Sequence, residues 1–524
     1  MGVPFEQIPN TIRVPFMYVE VRPGAKAPTT GKPKLLIVGQ RLASGSVLAH
    51  VPTLITSGAQ AAAFFGQGSH VHRMALKVFG NYPLAEVWVI AVNDNGAGVA
   101  ATGVLDWGGA ATEAGTLSLY IAGQRVEIAI ADGDNSAAQA TKVQAAIALN
   151  ADLPVTAVVN GLDNSKVDLT ARHAGLLGND IDLRLNFKGP LAGEETPAGV
   201  TLVVTAMSGG TTAPALTSAI TAMADDPYEW ILCPYMDTTS LDAWETEMAR
   251  RWSATVMLYG HVFTAFSGTV AEVSAAIGGA TRNDPHVTAW CYPGPAISAG
   301  GADPRPAGTP IGSPTPPWEW AAAHTAPVAQ SVAIHPSRPF QTLGALGVDA
   351  PPMLDRWKVS EMDIVLHDGG ALSYYNDAGR VFVSRCITTY QEDAFAQEDD
   401  SFLDYNTLAQ LSYVNRFVKA KIQSAFARHI LVSSGTKVGA GLAVASPNDI
   451  RAEIIAAYME LENFAVVENM LGFVANLIVE RDTDGNPAGD PNRVNILWPG
   501  DLANQLLVVG LLNLFQLQAA APRA

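Results

Sequence analysis

The sequence predicts a multidomain α/β and α+β protein, with an α/β core, an inserted β-rich domain, a C-terminal α+β domain and extended arms at both ends. Three observations lead to this fold class. Apolar strand patterns alternate with helical patterns over 32–92 and 212–360, residues 93–211 differ in composition, and strand-like segments flanked by Pro and Gly lie at both ends. A chain of 524 residues has room for about three domains of roughly 150 residues each.

The predicted α/β core comprises residues 32–92 and 212–360. LLIVG at 35–39 is a short, fully apolar run of the kind that forms a buried strand. The pattern continues with predicted helices at 57–65, 69–79, 214–224, 241–252, 269–278 and 317–332, and with predicted strands at 85–92, 229–236, 255–266 and 286–292. Alternation at these lengths predicts a mostly parallel sheet. The Pro/Gly/Ser-rich segment 294–316 is expected to be a long loop.

Residues 93–211 are rich in Gly, Ala, Thr, Asn and Asp, unlike the segments on either side. Apolar and polar residues alternate in predicted strands at 115–122, 125–130, 166–172, 181–187 and 200–207, with one predicted helix at 136–149. This change of pattern predicts a β-rich domain inserted into a loop of the α/β core. Insertions of this kind are tolerated where the two chain ends lie close together at a surface.

Residues 361–498 form the predicted C-terminal α+β domain. Strands are expected within 361–390, including 380–390, followed by helices at about 402–427 and 447–463 and by strands at 476–482 and 493–499. The second helix has a well-marked start, with Ser446 as N-cap, Pro447 at the first helical position and Asp449 two positions further on.

Both ends of the chain are predicted to be extended arms, at 1–31 and 499–524. VPFMYVEV at 14–21 is strand-like but surrounded by prolines, which are confined to sheet edges, so it is expected to pair as an edge strand. The candidate strand residues of the arms are Phe16, Met17, Tyr18, Val19, Glu20, Val21, Leu506, Leu507, Val508 and Val509. Each arm is rooted at a Pro-Gly pair, and the predicted hinge residues are Pro23, Gly24, Pro499 and Gly500.

Composition narrows the class of protein. Only 15% of the residues are charged, against about 25% in a typical soluble domain, so unless much of its surface is apolar the chain is expected to bury surface elsewhere, and an assembly is one place to do so. The 32 Lys and Arg against 49 Asp and Glu give a net charge of −17, and no basic run is present, which argues against nucleic-acid binding. The three cysteines show no CxxC spacing, so a reducing compartment is expected. With no secretory signal and no apolar run long enough to span a membrane, we expect a soluble, non-secreted protein without direct membrane insertion.

Motifs for catalysis and cofactor binding are missing or weak. The patterns GxxxxGK[ST], GxSxG and HExxH are absent from the sequence. DTDGN at 482–486 departs from a calcium loop in the position of its glycine and in its missing closing glutamate, so a hairpin turn is favoured. GAGLAV at 439–444 lacks the third glycine of a dinucleotide-binding loop.

Three groups of reactive side chains have a more ordinary interpretation. His70 and His72 lie two positions apart, on different faces of a helix, which argues against a shared metal. Cys386 lies in an apolar strand and is expected to be a buried small side chain. A group of carboxylates before a helix could suggest acid/base chemistry, but helix-dipole compensation on a solvated surface is favoured; the group is Glu392, Asp393, Glu398, Asp399 and Asp400. No catalytic, cofactor or metal site is predicted.

Several stretches resemble the tail sheath proteins of contractile-tailed bacteriophages, most closely those of Mu-like phages. The similarity lies in ITTYQEDAFAQEDDSFLDYNTLAQLSYV (387–414), IRAEIIAAYMELE (450–462), LIVERD (477–482), DPNRVNILWPGDLANQLLV (490–508), RNDPHVTAW (282–290), GSPTPPWEWAAA (312–323) and ARHAGLLGNDIDLRLNF (171–187). These stretches are spread over most of the chain in the expected order, and none of them is a catalytic motif.

The resemblance implies a non-enzymatic structural protein that polymerises as a helical sheath around a tail tube and contracts to drive the tube through the host envelope. It implies arms that add strands to the C-terminal domains of neighbouring subunits, which makes that domain the polymerisation domain. The implied partners are other copies of the chain, the tail tube protein, and the baseplate and tail terminator proteins. The implied location is the virion tail, assembled in the host bacterial cytoplasm, and no cofactor is implied.

Two alternatives remain open at this point. A bacteriocin or secretion-type machine with a sheath but no virion would have the same sequence pattern, and neighbouring capsid and terminase genes would distinguish the two. The alternation of strands and helices also suits an α/β hydrolase-like enzyme, although the nucleophile and base motifs of such enzymes are missing.

Overall fold

A computed structural model describes residues 33–278, 281–297, 309–439, 441–482 and 489–515. The described chain divides into two compact units. The larger unit contains residues 33–413, 465–468 and 501 onward, and the smaller unit contains 414–464 and 469–500. The predicted N-terminal arm, with Phe16–Val21, Pro23 and Gly24, lies outside the described residues.

The described secondary structure comprises helices and strands in the following chain order. The helices are α1 (Gly58–Phe65), α2 (His70–Asn81), α3 (Ser136–Leu149), α4 (Thr217–Met223), α5 (Thr238–Trp252), α6 (Val270–Ile277), α7 (Pro317–Ile334), α8 (Val359–His367), α9 (Tyr405–Phe426), α10 (Pro447–Asn463) and α11 (Met470–Asn476). The strands are β1 (Lys34–Gln40), β2 (Thr53–Ile55), β3 (Glu86–Val92), β4 (Ala100–Gly108), β5 (Gly115–Ile121), β6 (Gln124–Ile130), β7 (Val155–Val159), β8 (Lys166–Ala174), β9 (Leu183–Leu185), β10 (Thr201–Ser208), β11 (Trp230–Leu232), β12 (His261–Gly268), β13 (Val287–Pro293), β14 (Ala296–Ile297), β15 (Pro310–Ile311), β16 (Gly344–Ala345), β17 (Gly370–Tyr375), β18 (Val381–Arg385), β19 (Ile430–Leu431), β20 (Val444–Ala445), β21 (Val467–Glu468), β22 (Ile478–Arg481), β23 (Val494–Leu497) and β24 (Asp501–Leu502).

The larger unit is built on a nine-stranded sheet in the order β16-β18-β17-β13-β12-β11-β1-β3-β2. The six strands from β17 to β3 are parallel, and antiparallel strands close both edges. Alternate side chains of β13 face two hydrophobic cores: Trp290 packs in one, and Cys291 packs in the other beside Val273 of α6 and Val365 of α8. Both faces of the sheet are therefore covered, which explains why the inner residues of β1, 35–39, form a continuous apolar run.

The segment predicted as an insertion is a module with two sheets and helix α3. One sheet has the order β10-β4-β8-β7 and the other β6-β5-β9. Its two ends lie side by side, because Val99 and Thr211 exchange backbone hydrogen bonds of 3.3 and 3.2 Å. Adjacent ends are the arrangement that allows a module to interrupt a loop without disturbing the sheet that carries it.

The smaller unit contains most of α9, all of α10 and α11, and two short sheets. Helix α10 starts as predicted: the Ser446 side chain accepts from the Asp449 N–H, and the Asp449 carboxylate accepts from the Ser446 N–H (2.8 Å). The antiparallel pair β22–β23 forms a sheet of its own.

The mixed α/β and α+β fold class is confirmed, but three predicted elements are wrong in detail. The strand expected at 255–266 begins only at His261, because Met257 adopts a left-handed conformation (φ 54°) and interrupts extended backbone. The strands expected from 361 are preceded by helix α8, in which Met362, Val365 and Leu366 have helical spacing. Within the loop expected at 294–316, the described residues include the short pair β14–β15.

The nine-stranded sheet continues through β17 and β18, beyond the predicted domain boundary at 360–361. The strand expected at 380–390 ends at Arg385, after which the side chains of Thr388 and Thr389 bond backbone groups. DTDGN and GAGLAV lie only partly within the described residues. The other domain boundaries stay a prediction.

Candidate assembly surfaces

In the described part of the C-terminal tail, 501–515, the first residues are hydrogen-bonded to other segments of the larger unit. Strand β24 pairs antiparallel with β21, and the Ala503 N–H donates to the Val466 carbonyl (3.1 Å). Further along, the Gln410 side-chain amide donates to the Ala503 carbonyl (2.8 Å) and the Gln341 amide donates to the Leu506 carbonyl (2.9 Å). These are side-chain bonds to an extended backbone, not a sheet ladder.

After Leu506 the tail presents a series of apolar side chains to solvent. Leu506 is 70% exposed, and the side chains beyond it are similarly open: Val508 84%, Val509 76%, Leu511 89%, Leu512 81%, Leu514 83% and Phe515 78%. Within the described chain, residues 503–515 belong to no strand. Single exposed apolar residues are ordinary, but a continuous run indicates a surface that another molecule covers. Three of the four residues predicted to form the C-terminal arm strand, Leu506, Val508 and Val509, therefore lie where a partner can reach them, whereas Leu507 is half-buried.

The root of the tail is shaped by an aromatic cluster. The indole of Trp498 packs on Phe473, with ring centroids 4.7 Å apart, and Phe473 stacks on Tyr458 at 3.7 Å. A Cβ atom on Gly500 would come within 2.2 Å of the Trp498 Nε1 atom. Gly500 is thus required for close approach of the ring and is not among the glycines with positive φ. The chain passes from the smaller unit to the larger one between Gly500 and Asp501.

A sheet with free edges lies in the smaller unit. Strands β22 and β23 pair over four residues, from Ile478 opposite Leu497 to Arg481 opposite Val494. Within the described residues neither strand has a second neighbour. A free edge presents unpaired N–H and C=O groups, to which an extended segment of another chain can add a strand.

A partly buried polar network joins the inserted module to the parallel sheet. The Gln40 side chain, at the end of β1, donates to the Asp94 carboxylate (2.8 Å), which also pairs with His173 Nδ1 of β8 (2.8 Å). Burial by itself would raise the pKa of Asp94, but hydrogen bonds from His173, from the backbone and from Gln40 lower it overall. The network was not predicted, because its members are up to 133 residues apart (40 to 173) and no local pattern links them.

The two histidines considered as metal ligands have separate structural roles. His70 Nδ1 bonds Gln40 Oε1 (3.1 Å), and its ring packs on those of His173 and Trp318. His72 Nδ1 accepts from the Gly68 N–H (3.1 Å). Burial is the largest cause that lowers the pKa of both imidazoles. Among the described residues, no group of three or more His, Cys, Asp or Glu side chains could hold a metal ion.

The predicted acidic group forms an ordered turn. Asp393 Oδ1 accepts from the N–H groups of Phe395 (2.8 Å) and Gln397 (3.0 Å). Asp399 Oδ1 accepts from Ser401, and its other oxygen accepts from the Tyr390 hydroxyl (2.5 Å); these bonds lower the pKa of Asp399. Two of the five carboxylates therefore stabilise the local fold. Cys386 is buried as predicted, and burial raises the pKa of its thiol.

A membrane-spanning helix is not found in the described part of the chain.

The protein has a sheet covered on both faces, an apolar tail exposed to solvent and a second sheet with free edges. These features are typical of a subunit of a larger assembly.

Comparisons with known proteins agree on one family. The family model described as the phage tail sheath protein central domain matches residues 209–389. The Mu-like prophage FluMu tail sheath protein of Haemophilus influenzae is 34% identical over 510 residues, which cover 97% of this chain and 98% of that protein. The chain therefore belongs to the phage tail sheath family, the structural proteins of contractile phage tails, and the resemblance seen in the sequence is confirmed.

Solved structures are similar over nearly the whole chain at low identity. The sheath tail protein of Desulfitobacterium hafniense is 15% identical, with a TM-score of 0.46 over 94% of this chain and 97% of that one. A chain of the anti-feeding prophage baseplate is 11% identical, with a TM-score of 0.45 over 97% of this chain and 100% of that one.

Proposed function

We propose that the chain polymerises as a helical sheath around a tail tube and contracts to drive the tube through the host cell envelope, without enzymatic activity. The observation that carries this proposal is the exposed apolar tail beyond Leu506, together with the free edges of the β22–β23 sheet. The tail is strand-like and apolar, and the sheet edge accepts a strand. Arm and edge on the same chain make a heterologous contact, which repeats into an open helix.

The magnitudes suit an assembly that forms only when many contacts act together. Four to six backbone hydrogen bonds at about 1 kcal/mol net each stabilise one paired arm by a few kcal/mol. Burying an exposed Leu or Val adds roughly 1.5–3 kcal/mol per side chain before the entropy of ordering is subtracted. A single arm would therefore bind a neighbouring subunit weakly, whereas the contributions of many arms add together in a lattice and stabilise it strongly.

Removing residues 507–524 tests the C-terminal arm. We expect the shortened chain to keep its circular dichroism spectrum and unfolding midpoint while tubes disappear from electron micrographs. The matched control replaces Val508, Leu511 and Leu514 by Thr, which keeps strand propensity but removes apolar surface. It should weaken assembly less than truncation does. Normal tubes from the truncated chain would contradict the proposal.

The N-terminal arm is proposed to pair in the same way through Phe16 to Val21. The whole strand-like segment 14–21 has eight residues, which at about 3.3 Å each reach roughly 26 Å. Deletion of residues 1–22 should abolish assembly and leave the monomer folded. Tubes of ordinary stability from that variant would show that this arm is not needed.

We further propose that, during contraction, the part of each subunit between its two arms rotates while the arms stay paired with neighbouring subunits. The dihedral changes would be concentrated at Pro23–Gly24 and Pro499–Gly500. At the second root the Trp498 ring lies so close that a Cβ atom on Gly500 would come within 2.2 Å of its Nε1 atom, so a dihedral change there requires the ring to move. Three flexible residues inserted after Gly24 should leave assembly intact and impair contraction.

The proposed partners are the tail tube protein and the baseplate and tail terminator proteins, in a virion tail assembled in the host cytoplasm.

A further inference from the structure

Phe395 is held in solvent at the tip of an ordered turn, which we call the acidic turn and define as residues 391–401. Its side chain is 82% exposed. Asn283 anchors the base of the turn: its side-chain oxygen accepts from the Gln391 N–H (2.7 Å) and its amide donates to the Glu392 carbonyl (2.8 Å). With the Asp393 bonds at the tip, this network holds the aromatic ring away from the surface of its own chain.

The acidic turn also carries two carboxylates, those of Glu392 and Glu398, that make no ion pair or hydrogen bond with the described residues. The backbones of Glu392 and Glu398 bridge each other, which places both residues at the base of the tip. Within the described residues neither carboxylate takes part in an ion pair or accepts a hydrogen bond. Phe395 is therefore an apolar tip with unpaired negative charge on both sides.

A surface of the opposite character lies in the smaller unit, in what we call the basic loop, residues 428–442. Its described residues are 428–439 and 441–442: the Ile430 N–H donates to the Ala443 carbonyl (2.8 Å) and the Val432 N–H donates to the Ala445 carbonyl (2.9 Å). Three of its apolar side chains are open to solvent: Ile430 60%, Val438 49% and Leu442 61%.

Positive charge surrounds these apolar side chains. Arg428 and Lys437 are exposed, and neither forms an ion pair with another described residue. From Val414 to Asn448 the sequence contains no Asp or Glu, although the whole chain has a net charge of −17. Such a segment is complementary to the acidic turn in both charge and apolar character.

We propose that the acidic turn of one copy docks on the basic loop of a second copy. Phe395 would cover Ile430, Val438 and Leu442, while Glu392 and Glu398 would face Arg428 and Lys437. The occupant is a second copy because the two complementary surfaces are present on one chain, and a contact between different surfaces repeats without closing. The inference rests on the proposed polymerisation and adds a contact independent of the arms.

Zero-length cross-linking tests the contact. A carbodiimide joins a carboxylate to an amine that lies within ion-pair distance. In an equal mixture of ¹⁴N- and ¹⁵N-labelled full-length protein, we expect peptides that link Glu392 or Glu398 of one label to Lys437 of the other. Phe395→Ala should reduce the yield about tenfold, the loss typical of a central anchor. Lys437→Arg removes the amine that the carbodiimide couples, so it should abolish the linked peptide. Because the substitution keeps the positive charge, assembly should be preserved.

Charge reversal gives an independent test of the same pairing. Glu392→Lys with Glu398→Lys, and Arg428→Glu with Lys437→Glu, should each weaken association between copies. All four changes in one chain should restore it. The matched control is Asp132→Lys with Glu195→Lys, two exposed carboxylates of the inserted module, which should have no effect.

The outcomes separate this inference from the proposed function. Tubes in which the linked peptide is missing, or is found only within one copy, overturn the docking and leave the polymerisation standing. Mixed-label linked peptides without tubes support the docking and contradict the polymerisation. Failure of the fourfold variant to recover, when each pair weakens association, also overturns the docking.

Discussion

The Asp180 carboxyl group lines a cavity of about 110 Å³ beside Tyr235 and Phe266, at the carboxyl end of β11 and β12. Burial raises its pKa to about 7. A raised pKa means that the folded state favours the protonated carboxyl group. The contribution of Asp180 to the stability of the fold is therefore fully present at low pH and is lost as the pH rises through about 7.

The asparagine of Asp180→Asn is neutral at every pH, so the variant should have a higher free energy of unfolding than the parent at pH 8. At pH 5 the difference between variant and parent should be smaller. The gain is at most about 1.4 kcal/mol for each unit by which the pKa is raised, and less where solvent screens the charge. Urea unfolding at both pH values measures it. A difference between variant and parent that does not change with pH would contradict the role of this carboxyl group.

Glu319 lies at the centre of a buried ion-pair group on helices α2 and α7. It accepts from Arg73 Nε (2.6 Å) and pairs with Lys77 Nζ (2.9 Å). Burial would raise its pKa, but the two cations lower it overall, so its stabilising effect is present at neutral pH and is lost as acid protonates it.

Glu319→Gln should lower the free energy of unfolding by about 3–5 kcal/mol at pH 7, because Arg73 would remain buried without its counter-charge. Chemical denaturation measures the change. Glu127→Gln removes an exposed partner of Arg125 and should change stability by less than about 1 kcal/mol. Equal effects of the two substitutions would show that burial of the pair does not matter.

The segment β23–β24 passes through the root of the tail, where Gly500 lies under the Trp498 ring. Gly500→Ala would force the ring away from Tyr458 and Phe473, at a cost of about 1–3 kcal/mol. Tryptophan fluorescence and the unfolding midpoint should both shift. Gly510→Ala is the matched control, since a Cβ atom there meets nothing within 4 Å. Unchanged fluorescence in Gly500→Ala would mean that the ring does not set this conformation.

For the molecule as a whole, the inserted module is predicted to be peripheral and dispensable for assembly. Replacement of 93–211 by a short Gly/Ser linker should leave a folded chain that forms tubes. The same replacement deletes Asp94, which accepts from Gln40, and His173, which accepts from the His70 N–H, so the melting temperature should fall. Each buried polar group left unpaired costs about 1–3 kcal/mol.

The control for this replacement keeps the module and changes Gln40→Ala alone, which separates loss of the polar network from loss of the module. Electron microscopy and thermal unfolding measure assembly and stability separately. Loss of tubes from a replacement variant that remains folded would show that the module is part of the lattice.

The sequence by itself determined the local elements and the family. The apolar run 35–39 marks a buried parallel strand, helix starts carry caps such as Ser446, and a change of composition marks the segment 93–211; each signal lies within the element that it describes. The stretches that resemble tail sheath proteins needed no structure to be recognised. The apolar, Pro-Gly-rooted tail was also visible as a candidate arm.

Only the tertiary structure decided which distant residues meet. The sheet continues through β17 and β18, Gln40 meets Asp94 and His173, and Asn283 anchors the acidic turn, all through contacts between residues far apart in sequence. Where the backbone turns at Met257, an apolar run that suits a strand becomes a packed loop. Periodicity and caps report local preference, whereas strand order, buried polar pairing and exposure are set by the whole chain, which overrides that preference.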